Sequence, residues 1–317
     1  MLQNTGMPSS KLQRITSQLQ NKDIVEALSQ LPGADFNTLM LEVYNRRASA
    51  ITPVQLLQQY NLNRFVKPAS VDCIAFMEAE LAALKIFRKK LFEPILLSPL
   101  APFGACSVPG TVNQDKVISA ARSTEVMADA TNAIALHIAA ERQAGKITGL
   151  TSTHYSTIQR HVRSQPLPSP KFTAHFTIGC LVSSALDSGN FSFESSSLVH
   201  HLETWQILLS EYFGINELSL RMIPRNGYPT PQVFISHLQQ AVNEQLQGIP
   251  IEVKENAESN NYYKGLQFKV VINVGGEDLE IADGGFVDWT AQLLGNKKER
   301  LLISGFGIEL LYKLYRV

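Results

Sequence analysis

Arg163 is the first residue in this sequence whose type and setting point to chemistry. It lies in Val162-Arg163-Ser164-Gln165, ahead of a proline-containing loop that runs to Lys171. A guanidinium presents a rigid fork of donors that fits a phosphate or a carboxylate. Arg163 therefore reads either as an anion clamp at a pocket mouth, with Gln165 beside it, or as a surface arginine next to a loop. From Phe172 the chain alternates: Phe172, Ala174, Phe176, Ile178, Cys180 and Val182 share one face of a strand, and Thr173, His175 and Thr177 share the other. The first face is expected to meet the core. His175 on the second is a ligand contact or a hydrogen-bonded histidine. Tyr262 and Tyr263 point to opposite faces if their strand is regular, one to the core and one to a pocket. Arg122 and Glu125 sit at the start of a segment read as helical, where Glu125 equally serves as first-turn charge.

Other arrangements exclude themselves. His200 and His201 are adjacent on a probable helix and diverge by about 100°, so they cannot share a metal. Cys73, Cys106 and Cys180 are odd in number and widely spaced, which argues against a disulfide framework. No Ser/His/Asp order, CxxC, GxGxxG or GxxxxGK[ST] motif occurs. Lys+Arg and Asp+Glu both number 28, so there is none of the basic excess of a nucleic-acid binder. With 44% hydrophobic and 18% charged residues, the chain reads as globular. The N-terminus shows no apolar signal core, and no apolar run is long enough to span a membrane. The expected location is the cytoplasm.

Several elements must position these side chains. Residues 1–65 read as a helical N-terminal arm, in which Thr52-Pro53 starts a helix and Phe36, Leu39, Met40 and Val43 repeat at helical spacing. Residues 66–317 read as a second domain. Its first helix starts near Ser70 and carries Ile74, Met77, Leu81 and Leu84. The apolar run Phe92 to Pro102 reads as a buried strand. Residues 123–144, about 194–213 and about 231–246 read as helices. Residues 265–273 and 278–282 form a hairpin around Val274-Gly275-Gly276-Glu277, followed by Asp283-Gly284-Gly285 and a helix at about 288–295. A strand at 301–304 and a helix from Phe306 to Arg316 close the chain. Strands joined by hairpins with helices between them imply an α+β fold, an antiparallel sheet flanked by helices.

Three stretches in order resemble the signature motifs of class II aminoacyl-tRNA synthetases. They are the helix ending at Phe92 with the strand to Pro99; Val162 to Gln165 with the strand from Phe172; and Ser304-Gly305-Phe306-Gly307-Ile308-Glu309-Leu310-Leu311. Tyr262-Tyr263-Lys264-Gly265-Leu266-Gln267-Phe268 and Gly284-Gly285-Phe286-Val287-Asp288 are similar to two segments of the histidyl branch. The resemblance covers about residues 70–317. It implies a homodimer through the first motif, and a pocket in which Arg163 holds a phosphate of ATP. Arg122, Glu125, Gln165, His175, Tyr262, Tyr263, Gly284, Gly285, Asp288, Gly305, Gly307 and Glu309 would line or shape that pocket. Gly305 and Gly307 would form a tight turn, and Glu309 would brace the last helix.

The departures set the functional expectation. Leu310 stands where the family has an arginine that stacks on adenine, a contact worth about 2 kcal/mol when desolvated. Gln165 replaces a glutamate, residues 257–261 contain no basic residue, and Phe286-Val287 replaces Arg-Tyr. The sequence ends at Val317, soon after the third motif, and no anticodon-binding domain is expected. The expectation is a synthetase-like paralogue without tRNA-charging activity. It would be a regulatory or partner subunit that binds an amino acid or a nucleotide-like ligand and pairs with itself or another protein, with tRNA not an expected partner. The alternatives are an ATP- and Mg²⁺-dependent ligase that activates a carboxylate for another acceptor, and a structural dimeric partner whose pocket Phe286, Val287 and Leu310 would fill. No metal-ligand set is expected from the residues.

Overall fold

The computed structural model describes residues 10–149, 151–164, 173–254 and 261–315. Two compact units emerge, one holding the described residues to Asn61 together with Ala121–Ser123, the other the remainder. The first is built from α1 (Ser10–Gln18), α2 (Ile24–Ser29), α3 (Gly33–Ser49) and α4 (Pro53–Leu62). Thr52 and Gln55 cap α4 reciprocally. The Thr52 amide donates to Gln55 Oε1 (2.9 Å), and the Gln55 amide donates to Thr52 Oγ1 (3.3 Å). None of the residues in these four helices is buried, so local capping and propensity hold them more than a core does.

The second unit contains an eight-stranded sheet. Its strands in chain order are β1 (Glu93–Pro94), β5 (Thr153–Val162), β6 (His175–Leu186), β7 (Ser219–Pro224), β8 (Ile251–Val253), β9 (Lys264–Val274), β10 (Glu277–Val287) and β11 (Glu299–Phe306). A small sheet uses β2 (Leu100–Pro102), β3 (Ser119–Ala120) and β4 (Thr124–Val126). The large sheet runs β1-β5-β6-β11-β10-β9-β7-β8; its middle is antiparallel and both edge pairs are parallel. The helices are α5 (Cys73–Lys89), α6 (Ala130–Gln143), α7 (Ser192–Ile207), α8 (Pro231–Gln245), α9 (Trp289–Leu294) and α10 (Ile308–Tyr315).

Strand alternation divides the sheet into two faces. On one, Leu181, Leu302 and Phe306 pack with Phe87 of α5, Trp205 of α7 and Leu311 of α10. Trp205 stacks on Phe306 (centroids 5.0 Å) and meets Phe87 edge-on (5.5 Å), contacts worth about 1 kcal/mol each beyond area. On the other face, Val182 and Ile303 pack with Ile134 and Ile138 of α6 and Trp289 of α9.

Four sequence expectations are corrected here and one, the helix to 213, is refined. The run Phe92 to Pro102 is two short strands in different sheets, because Pro94, Pro99 and Pro102 lack the amide a continuous ladder needs. The helix expected from residue 123 starts at Ala130: Asp129 Oδ1 accepts from the Thr131 amide (3.0 Å), and Thr124–Val126 is strand β4. Asp72, not Ser70, caps α5 by accepting from the Ala75 amide (2.9 Å). The helix expected to 213 is regular to Ile207 and ends in a π-helical turn, Leu208–Tyr212. Asp283, Gly284 and Gly285 do not follow the hairpin but lie within β10.

Candidate functional site

A cavity of about 780 Å³ opens on the α6 side of the sheet, over β6, β11, β10 and β9. Asp283, Gly305 and Cys180 lie side by side across three strands of its floor. A Cβ at Gly305 would reach Ile178 Cγ2 at 3.3 Å, so the bare backbone leaves the floor open. The loop ahead of β3 supplies a wall that includes Cys106, Val112, Lys116 and Val117.

The N-terminus of α6 forms one side. Asp129 caps it and is held by four groups: the Thr131 amide, Thr131 Oγ1 (2.7 Å), the Tyr262 hydroxyl (2.8 Å) and, more loosely, Arg163 Nη2 (3.9 Å). Burial alone would raise this carboxyl. The charge of Arg163 and the bonds from Thr131 and Tyr262 overcome that and hold it below its ordinary value. Arg163 Nε donates to Ala128 O (2.9 Å), and its guanidinium lies over the Phe176 ring (5.4 Å). His161 lies two residues before Arg163, on the same face of the chain, and its Nε2 accepts from the Ala130 amide (2.9 Å).

The far side belongs to Tyr263, Gln267 and Asp283. Gln267 Nε2 donates to both oxygens of Asp283 (3.0 and 3.1 Å). The Asp283 carboxylate is open to the cavity but hemmed by protein elsewhere, and this burial raises its pKa despite the Gln267 bonds. Tyr262 and Tyr263 both line the cavity, with rings edge-to-face at 4.7 Å. The opposite-face expectation fails because residues 262–263 form a bend before β9, so strand alternation does not apply. Burial pushes both phenols up, and the carboxylates nearby add to it.

Arg163, Tyr262, Tyr263, Gly305 and Gly307 thus meet at one cavity. The remaining candidates lie elsewhere. Arg122 is exposed at positive φ, its amide donating to Asn37 Oδ1 (2.9 Å) in the helical unit. Glu125 is fully buried on β4, where its carboxylate accepts from the Gly104 amide (2.9 Å), the Cys106 amide (3.1 Å) and Gln114 Nε2 (3.1 Å), anchoring the wall from behind rather than charging a helix. His175 faces away from the cavity: its Nδ1 accepts from Arg160 (3.0 Å), and its Nε2 donates to Lys67 O (2.6 Å). Asp288 leads into α9 and binds Gln292 (2.7 Å). Glu309 is buried against Arg160 (3.1 Å), Lys313 (2.7 Å) and the Thr177 amide (3.0 Å). Gln165 lies outside the described residues.

The glycines act through space rather than turning. A Cβ at Gly284 would meet Phe268 (2.5 Å) and the Ile303 carbonyl (2.6 Å), and one at Gly285 would strike the Leu266 carbonyl. Gly305 lies in β11 and Gly307 is the single residue between β11 and α10, so the chain does turn tightly there, but neither glycine takes a positive φ. Phe286 and Val287 are buried in the two cores and Leu310 packs on the first, so none of the three fills the cavity. Among the described residues, no cluster of three or more His, Cys, Asp and Glu is placed to hold a metal ion.

His161, Asp129 and Asp283 were missed. His161 shares strand parity with Arg163, which marks it for the same face. Asp129 stands before Ala130-Thr131 as a helix cap. Asp283 carries no signal beyond its place before two glycines.

No family model matches the chain, and no curated protein matches it by sequence. Solved structures do. The apo histidyl-tRNA synthetase of S. aureus aligns at TM-score 0.59 and 13% identity, over 80% of this chain and 70% of that one. An ATP phosphoribosyltransferase regulatory subunit/histidyl-tRNA synthetase from Bacillus halodurans aligns at 0.59 and 10%, over 80% and 83%. A putative threonyl-tRNA synthetase from Aeropyrum pernix aligns at 0.60 and 13%, over 76% and 59%. The chain has a class II synthetase-like core, a mixed α+β fold with a large sheet flanked by helices.

Proposed function

We propose that this chain binds a small ligand, an amino acid or a nucleotide-like molecule, in a synthetase-like cavity, and acts as a regulatory or partner subunit that does not charge tRNA. The carrying observation is the unfilled cavity of about 780 Å³ with polar groups converging on it, the size and character of a small-molecule site. Its ends differ in charge. Arg163 and Lys116 suit an anionic group, and Asp283 suits a donor or a cation. The sequence departures support the loss of charging, since Leu310 gives an adenine no cation to stack on. A structural neighbour described as an ATP phosphoribosyltransferase regulatory subunit/histidyl-tRNA synthetase is in keeping with the regulatory part.

Pairing of two copies belongs to the same reading. Leu91, Leu96 and Phe103, around the first motif, are exposed, Leu96 at 96%, an unusual outlay of apolar surface. Sedimentation at micromolar concentration should give a mass near twice 35.1 kDa; a monomer would refute the pairing. Among the described residues no helix is long and apolar enough to cross a membrane, which fits a cytoplasmic place.

A thermal-shift titration with ATP–Mg²⁺ and each of the twenty amino acids tests the central claim. At a hundredfold excess over Kd, a ligand adds about 2.7 kcal/mol to stability, several degrees in melting temperature for a domain of this size. Aminoacylation of bulk tRNA should stay at background. No shift with any probe would sink the ligand-binding reading, and charged tRNA would sink the rest.

A carboxylate-activating ligase is the second reading, favoured by the position of Arg163, half-exposed at the cavity with its Nε fixed by Ala128. Arg163 would hold a phosphate of ATP there. Amino-acid-dependent pyrophosphate exchange would support this reading, and its absence with all twenty would end it.

A further inference from the structure

His161 is 1% exposed, its ring edge-on to Phe176 at 6.2 Å. Its Nε2 lies 2.9 Å from the Ala130 amide. A backbone amide can only donate, so Nε2 must be the lone-pair nitrogen, and the neutral ring carries its proton on Nδ1. Burial keeps the ring neutral at physiological pH by drawing its pKa down to about 4, although Asp129 pulls the other way. Nδ1 has no hydrogen-bond partner. Among the described residues that line the cavity, it is the one buried side-chain polar atom left without a partner. Buried donors are nearly always satisfied, and one left over at a cavity calls for an acceptor that the protein does not supply.

The surroundings indicate which acceptor. Arg163 is two residues away. The Ser164 amide donates to the Lys116 carbonyl (2.9 Å), which brings Lys116 alongside the end of β5. Both cationic residues line the cavity with His161. The one carboxylate on this side, Asp129, is already engaged by Thr131, Tyr262 and Arg163. A neutral N–H beside two cations adds a directed donor without adding charge, as recognition of an anionic oxygen requires.

We infer that His161 is a specificity-determining ligand contact, whose Nδ1–H donates to an anionic oxygen, carboxylate or phosphate, of the molecule held beside Arg163. This rests on the reading that the cavity binds a ligand. His161 also holds the first amide of α6, so the ring that reads the ligand is fixed by the helix it caps.

The experiment compares full-length wild type with His161→Gln, titrated with ATP–Mg²⁺ and each of the twenty amino acids. Glutamine keeps an acceptor for the Ala130 amide but has no N–H where Nδ1 stands. The expected result is a melting temperature close to wild type without ligand, and affinity for the stabilising probe weaker by about tenfold or more. A response to an amino acid assigns a carboxylate partner, and a response to ATP assigns a phosphate. Nitrogen-15 spectra of the wild-type imidazole should place the proton on Nδ1, with a signal that moves when that probe is added. Equal affinity in the variant overturns the contact and leaves the ligand-binding reading standing, as does a proton found on Nε2. No stabilisation of wild type by any probe overturns both. If His161→Gln does not fold, the wild-type Nδ1–H signal decides: unchanged on binding, it refutes the contact.

Discussion

On the side of the sheet covered by α5, α7 and α10, His154, Ser183, His201, Ser304 and Trp205 form one hydrogen-bonded chain with steps of 2.7 to 3.0 Å. Beside it Glu309 ties together Arg160, Lys313 and the Thr177 amide. On the opposite side of the same strands, His161 has a ring nitrogen with no partner and Asp283 stands open to a cavity. Both sides are rich in histidine, serine and acid. What separates these groups is whether their hydrogen-bonding capacity is used up within the protein: the two networks on the covered side close on themselves, whereas His161 Nδ1 lacks a partner and Asp283 faces open space. Polar residue type alone therefore does not mark a site in this fold.

The contrast can be broken most forcefully at Glu309. Glu309→Ala removes the shared acceptor and leaves Arg160 and the Thr177 amide short of a partner. Breaking a buried ion pair from one side costs about 3–5 kcal/mol. The low end is expected because Arg160 and Lys313 keep some contact with water. Urea unfolding measures it, and a loss below about 1 kcal/mol would show that the network is dispensable.

Acid should open the covered side next. Burial lowers His154 to about 4 and His201 well below its ordinary value. The unfolded chain takes these protons near pH 6.5, the folded chain only far lower. Between those values the unfolded state binds more protons, so stability falls as pH falls from 6.5 toward 4. For His154 alone the loss is up to about 3 kcal/mol. His154→Gln should flatten the melting-temperature profile in that window, and an unchanged slope would remove His154 from the account.

Two glycines sharpen the comparison at the smallest scale. Gly284→Ala drives a methyl into Phe268 and the Ile303 carbonyl and should cost about 1–3 kcal/mol. Gly305→Ala meets Ile178 at only 3.3 Å and should change stability by less than about 1 kcal/mol, while narrowing the cavity floor. If both cost the same without ligand, the floor at Gly305 is not open space.

The elements were legible where a local pattern decides them. The alternation of β6, the β9–β10 hairpin and the helix α8 from Pro231 follow from neighbours in sequence. Which face of β6 borders the cavity does not. His175, on the face that lines the pocket in the resembled family, reads as a ligand contact or a hydrogen-bonded histidine, and the second holds: its partners are Arg160 and the carbonyl of Lys67, 108 positions away. Ile178 and Cys180, read as core, do pack in a small apolar cluster, yet they line the cavity as well. A polar face can be buried once distant residues complete its bonds, and an apolar one can floor a pocket. Arg163, Tyr262 and Tyr263 were found because the resemblance supplied their order. His161 and Asp283 needed coordinates, since what singles them out is a partner they lack or a space they face.

Glu125 holds the cavity wall from outside it, through two backbone amides and one side chain. The seat of the wall and its lining are therefore separate parts of the sequence. Val112 and Lys116 can be substituted without touching the bonds to Glu125, whereas position 125 cannot. A wall of this kind changes what it recognises by editing a few side chains on a fixed seat.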